Sequence, residues 1–313
     1  MPRLKWLNRM YPPRVLADIA TRGVDGEKVV RYLTSNEEGA RIWPRELDRY
    51  LEVAYRHKAI DPDLQARLRS EYWNTFLQAV NELQTAYFFH RKERFRLKFR
   101  PRGQGRSIGE FELIKKGFPG IFVEVKSPNR ATPTGVWCGG DEDVVKSNVL
   151  RACEQIPTDG RPTLVVMAGD LRVPISDPSS GVWQALYGSR VIVFPINPDT
   201  NDDAVQHEWT HDGVFQSSSN QHLSAVATLI DHIGSPYLNS ISIPITKGTP
   251  IDPTLPLDQL SYRFALYHNP YARTKIDPAL FGRWRQFGPL PGNDQKYGWL
   301  EPRGSPPRRR IAS

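Results

Sequence analysis

The chain is predicted to be an α/β protein: a mixed central sheet flanked by helices, with a helical extension at its N-terminus. Three observations predict this. From residue 61 the hydrophobic pattern runs helix, three strands, helix, strand, an order that builds a sheet with helices against it. The segment ERFRLKF alternates strictly between charged and apolar residues, as a half-buried strand does. The run TLVVMA is apolar throughout, as a strand covered on both faces should be.

Taken in order, residues 1–60 read as polar and helical. Candidate helices are Asp25–Thr34 and Pro44–His57, the second carrying Leu47, Tyr50, Leu51 and Ala54 at helical spacing. Asp61-Pro62 opens a longer helical pattern from Asp63 to about His90, with an apolar stripe of Trp73, Phe76, Leu77, Val80, Leu83 and Tyr87. Glu82 stands on the shoulder of that stripe, where a carboxylate is either solvated or aimed into a site.

In the next segment Phe95, Leu97 and Phe99 alternate with Arg94, Arg96, Lys98 and Arg100. Period two gives one apolar face and one face of four cations. Such a face contacts phosphates without reading sequence, or it protects a sheet edge from pairing. Ser107–Ile114 reads as a second strand, Gly120–Lys126 as a third and Asp141–Gln155 as a helix. Thr163–Ala168 and Val191–Ile196 read as buried strands, Gln221–Ile233 as a helix, and Ile241–Ile245 and Tyr262–Tyr267 as strands. The α/β domain is placed at 61–285, and residues 286–313, rich in Pro, Gly and Arg, read as a flexible basic tail.

Composition narrows the function classes. The chain has 313 residues, 39% hydrophobic, with a net charge of +8 and a pI near 9.5. That balance favours polyanionic partners. No stretch approaches the ~20 apolar residues of a membrane span, and no apolar signal-peptide core follows Met1. Only Cys138 and Cys153 are present, without a CxxC pair, so neither a disulfide scaffold nor a cysteine-built zinc site is expected. These features point to a cytoplasmic protein with no membrane association.

The chemistry-bearing residues lie in IFVEVKSP. On a strand, residues two apart share a face, so Glu124 and Lys126 project together. Glu110 and Glu112 share a face of the preceding strand, and a tight connection through Lys116–Pro119 would set one of them beside Glu124. Carboxylates so paired suit a hard cation such as Mg²⁺, and a neighbouring lysine can stabilise charge developing on a phosphorane. Residues 71–156 resemble the core of the PD-(D/E)XK, or restriction-endonuclease-like, nucleases. They are similar to uncharacterised bacterial members, with HLSAVATL (222–229) and LYHNPYA (266–272) adding to the likeness. The resemblance implies a metal-dependent nuclease that hydrolyses phosphodiesters with Mg²⁺ or Mn²⁺, on DNA ahead of RNA. It implies Glu82 as the helix glutamate, Glu110 as the second-strand acid, Glu124 and Lys126 as the (D/E)xK signature, and Gln155 as the glutamine of the following helix. Glu82, Glu110 and Glu124 would hold the metal. The sequence departs from the family pattern at Gly109-Glu110, where Pro-Asp is usual.

Two alternatives stand beside this reading. One is a non-catalytic nucleic-acid-binding or assembly module of the same fold. The other is a zinc hydrolase, because His207-Glu208-Trp209-Thr210-His211 matches HExxH. That match lacks a long apolar helix to carry it and a marked third ligand.

Overall fold

In a computed structural model of the chain, residues 4–34, 42–105, 107–128, 142–169, 181–188, 190–193, 206–209, 212–231 and 262–288 are described. Among them a seven-stranded mixed sheet is flanked by helices. The strands in chain order are β1 (Arg96–Phe99), β2 (Phe111–Ile114), β3 (Ile121–Lys126), β4 (Thr163–Ala168), β5 (Arg190–Val193), β6 (Gln206–Trp209), β7 (Ala225–Asp231), β8 (Tyr262–His268) and β9 (Arg285–Phe287). β5 and β6 form a separate two-stranded ribbon, and the others lie side by side in chain order. β1, β2 and β3 form an antiparallel meander. β3, β4 and β7 run parallel, β8 is antiparallel to β7 and β9 parallel to β8.

Alternation along the strands divides the interior into two layers. Val123, Val125, Leu164, Val166 and Ala168 enter one apolar core with Ala79, Val80 and Leu83 of a long helix. Phe122, Val165 and Met167 enter a second core with Val145 and Val149 of the helix that follows β3. Helices α1 (Lys5–Met10), α2 (Pro13–Ala20), α3 (Val24–Thr34) and α4 (Ile42–Arg56) build the outer part of the first layer. Their buried residues Met10, Ile19, Val29, Leu47 and Leu51 join the same core as the sheet.

The helical pattern expected to run unbroken from Asp63 to His90 is instead two helices and a π-helical turn: α5 (Pro62–Leu68), α6 (Trp73–Tyr87) and Phe88–Lys92. Asp61 caps α5, its carboxylate accepting the Leu64 N–H at 2.8 Å. The break comes from the N-terminal segment. Tyr11 Oη donates to the Leu68 carbonyl at 2.7 Å, and the Arg69 guanidinium donates to the Met10 carbonyl. These bonds satisfy groups at the helix end through partners more than fifty residues away. The π turn seats consecutive Phe88 and Phe89 in the first core.

Elsewhere the differences are similar in kind. The second strand starts at Phe111 rather than Ser107, with Ile108 only bridged to Arg102. The helix after β3, α7, spans Glu142–Cys153. Residues 221–233, expected to be helical, contain the strand β7. Ala225, Ala227 and Leu229 pack into the first core and Val226 into the second; the β-branched Val226, Thr228 and Ile230 suit this place between β4 and β8. Of the apolar run expected at 191–196, residues 191–193 fall in the small ribbon instead of the main sheet and 194–196 lie outside the described residues, and α8 (Gly181–Tyr187) adds a helix to those expected. Gln286, expected to open the tail, lies within β9. Residues 241–245, Cys138, Arg106 and 289–313 lie outside the described residues. No helix among the described residues is long and apolar enough to cross a membrane.

Candidate active site

The site lies where β2, β3, α6 and the end of α7 meet. The antiparallel register pairs Phe99 with Phe111 and Phe111 with Val123. One step further along each strand, Glu110 falls opposite Glu124. Its main chain carries the meander on, with the Glu110 carbonyl accepting the Arg100 N–H at 3.1 Å. Its side chain bonds to β3: Glu110 Oε2 accepts the Val125 N–H at 3.1 Å, just beyond the first residue of β2.

Register also decides between the two glutamates of the second strand. Glu112 falls opposite Lys98 on one side and Phe122 on the other. Its carboxylate is 3.6 Å from Lys98 Nζ and fills the space that a Cβ on Gly120 would need. Glu110, not Glu112, is therefore the neighbour of Glu124.

Glu124 and Lys126 share a face as expected. Lys126 Nζ donates to Glu124 Oε1 at 2.8 Å and is also hydrogen-bonded to Gln155 Oε1. Gln155 sits just past the end of α7, and its carbonyl accepts the Gln104 N–H at 3.0 Å. This ties the backbone at Gln104 to the lysine's support. Glu124 is 4% exposed, and its second oxygen, Oε2, is buried without a hydrogen-bond donor.

The electrostatics follow from this crowding. Part of Glu110 still meets solvent, but its carboxyl end is enclosed by protein, and that burial, then the nearby Glu124 and Glu82 carboxylates, hold it well above the usual carboxylate range. Glu82 is likewise pushed up by burial, against the opposing pull of Arg67. Arg67 donates to Glu82 Oε2 at 2.8 Å. Arg100 is ion-paired to Asp61 and adds a weaker attraction to Glu82. Asn81, next to Glu82, donates to Ser127 Oγ at 2.9 Å and fastens α6 to the end of β3.

The five residues expected at the site thus gather at the same strand ends. Glu110, Glu124, Lys126 and Gln155 form a contiguous set, while Glu82 faces them from α6, within electrostatic reach of Glu110 and Glu124. Arg67, Asn81 and Ser127 carry no signal in the sequence, because each acts through a bond between elements; Asp61 is legible only as the start of a helix, not as the partner of Arg100. Among the described residues, no group of three or more His, Cys, Asp or Glu side chains stands arranged to hold a metal ion. Glu82 and Glu124 are turned to Arg67 and Lys126 instead.

The departure at Gly109 has a local cause. A Cβ there would overlap the ring of Phe122. The Gly109 N–H also donates to the Pro101 carbonyl at 2.9 Å, a bond that proline cannot make.

The basic strand is shorter than expected: β1 spans Arg96–Phe99, and Arg94 and Arg100 flank it in left-handed backbone, at φ 61° and 59°. Arg94, Arg96, Lys98 and Arg100 are exposed, while Phe95 and Leu97 are buried and Phe99 partly so. β1 is an edge strand of the sheet. Register puts Lys98 on the face of Phe122 and Glu124. α7 packs over β3 and β4, and Lys98 itself is exposed on the edge strand.

The chain matches no family model, no curated protein and no solved structure. One motif is weakened by the fold: Gln206–Trp209 form strand β6, whereas the zinc reading of HExxH needs His207 on a helix, one turn from His211. His211 lies outside the described residues.

Proposed function

We propose that this protein is a metal-dependent phosphodiesterase with a restriction-endonuclease-like core, a nuclease acting on nucleic acid, DNA ahead of RNA. The observation that carries the reading is the Glu110–Glu124 pair in one cross-strand row, beside an ammonium that Glu124 and Gln155 hold in place. The order α6, β1, β2, β3, α7, β4 supports it, as does the exposed cationic edge strand β1.

The donor set fits a divalent cation. Two enclosed carboxyl groups side by side require a positive charge between them, and a proton or a metal ion can supply it. Glu124 Oε2, buried and without a donor, is an available oxygen ligand. Glu110 and Glu124 would hold Mg²⁺ or Mn²⁺, with Glu82 as the third carboxylate. Bound there, the ion would supply Lewis-acid polarisation of a phosphoryl oxygen and offset its charge. Exchange of one proton for a dication, together with entry of a monoanionic phosphodiester, leaves the local charge unchanged, so the site need not bury a net charge to take both.

The remaining work falls to the chain's own groups. Lys126 orients the attacking water or stabilises negative charge developing on the phosphoryl oxygens. Gln155 fixes the ammonium by accepting its hydrogen bond. Arg94, Arg96 and Lys98 contact the phosphate backbone and set its position without reading bases.

The test is cleavage of supercoiled, linear duplex and single-stranded DNA by the purified full chain in Mg²⁺ or Mn²⁺ and in EDTA, with Glu124→Gln as control. Metal-dependent cleavage by the wild type alone supports the reading. DNA binding with no cleavage in either metal would replace it with a non-catalytic binding module of the same architecture. That second reading is favoured by one observation, the pairing of Glu82 and Glu124 with cations of the chain itself. The zinc-hydrolase alternative needs stoichiometric zinc that disappears in His207→Ala.

A further inference from the structure

Arg67 lies at the boundary between solvent and the carboxylate cluster. Its guanidinium bridges Asp63, at 3.1 Å, and Glu82, at 2.8 Å. The side chains of Asp63, Arg67 and Glu82 are 62%, 21% and 7% exposed in turn. The fork is therefore reachable from outside while one arm reaches the buried acid. α5 presents it: the Asp61 cap starts that helix, and the break at Arg69 lets it pack on α6 as a separate piece. Asp61 is at the same time the partner of Arg100, so two guanidinium groups, each held by a carboxylate, converge near Glu82.

This arrangement is incomplete for catalysis as it stands. A carboxylate whose oxygen accepts from a guanidinium gives up ligand capacity, and the guanidinium's positive charge opposes a nearby dication. A guanidinium is also the side chain best matched to phosphate, which it binds through a planar fork. We propose that Arg67 is a phosphodiester-binding residue that rests on Glu82 until a substrate phosphate draws it away, freeing Glu82 to complete the cation site. The inference rests on the phosphodiesterase reading. It makes cation binding and DNA binding mutually reinforcing, because each removes the obstacle to the other.

The test uses the full chain and two measurements. Mn²⁺ affinity without DNA is read from the electron paramagnetic resonance signal of the free ion. The affinity for a fluorescent, phosphorothioate-substituted DNA duplex is read by anisotropy with and without Mn²⁺. In the wild type, Mn²⁺ should tighten DNA binding about tenfold, a coupling typical of linked sites. In Arg67→Met, Mn²⁺ should bind several-fold more tightly without DNA, DNA affinity should fall, and the coupling should shrink toward one. Arg67→Lys keeps the charge and loses the fork, so it should retain the coupling with weakened DNA binding; it also serves as the informative variant if Arg67→Met does not fold. Unchanged Mn²⁺ affinity and coupling in a folded Arg67 variant would overturn the proposal and leave Arg67 as a structural partner of Glu82. If cleavage also persists, the phosphodiesterase reading survives that failure. Absence of Mn²⁺ binding by wild type and variants alike, with and without DNA, would overturn both.

Discussion

Glu110 reaches across from its own strand to take the Val125 N–H at 3.1 Å, so its carboxyl group both extends the β2–β3 ladder and stands beside Glu124. A side chain in that position couples the stability of the sheet to its own protonation. The consequence can be measured without any assay of function.

The metal-free protein should lose stability as pH rises from the unfolded carboxylate value, about 4.5, through the higher folded value of Glu110. The folded state holds this proton more tightly than the unfolded chain, so stability falls with pH across that window. Glu82 is shifted in the same direction and adds to the trend. Glu110→Gln should raise the melting temperature above the window and flatten its pH dependence. A wild-type melting temperature that instead climbs through the same range would contradict the raised value.

Lys126→Ala should reduce cleavage by about 10²- to 10³-fold if its ammonium acts as an oxyanion donor does. Circular dichroism should show the fold retained, because the lysine is only partly buried. Wild-type turnover in the folded variant would remove Lys126 from the mechanism.

Gly109→Pro, which introduces the residue usual in the motif that the sequence resembles, should destabilise the protein rather than improve it. The ring would collide with Phe122 and break the bond to Pro101. Overpacking alone costs roughly 1–3 kcal/mol, and the missing N–H adds to that. Gly109→Ala should suffer the collision and keep the hydrogen bond, so a denaturant series on both variants separates the two causes.

Replacing Arg94, Arg96 and Lys98 together should flatten the slope of log K against log salt for DNA binding by roughly 2.7, about 0.9 for each phosphate no longer neutralised. Arg100 is left out because it is closely ion-paired to Asp61, whereas Lys98 stands 3.6 Å from Glu112 with its side chain largely in solvent. An unchanged slope would assign the three cations to protection of the edge strand β1.

Much of this protein can be read from its sequence by itself. Alternation identified β1 and its cationic face, the apolar run identified β4, and Glu124 and Lys126 share a face because strand geometry demands it. These features are local, and a window of a few residues contains the whole cause. The tertiary structure decided what depends on partners distant in the chain. It divided the 63–90 pattern through Tyr11 and Arg69, and it made the segment expected to be helical the strand β7 by seating it between β4 and β8. It selected Glu110 over Glu112 through a register that shifts in whole residues, and it delivered Arg67 to Glu82 from a helix that no periodicity marks off. Periodicity reports which face of an element is apolar; it does not report which element will lie against that face, and the candidate site is built from those meetings.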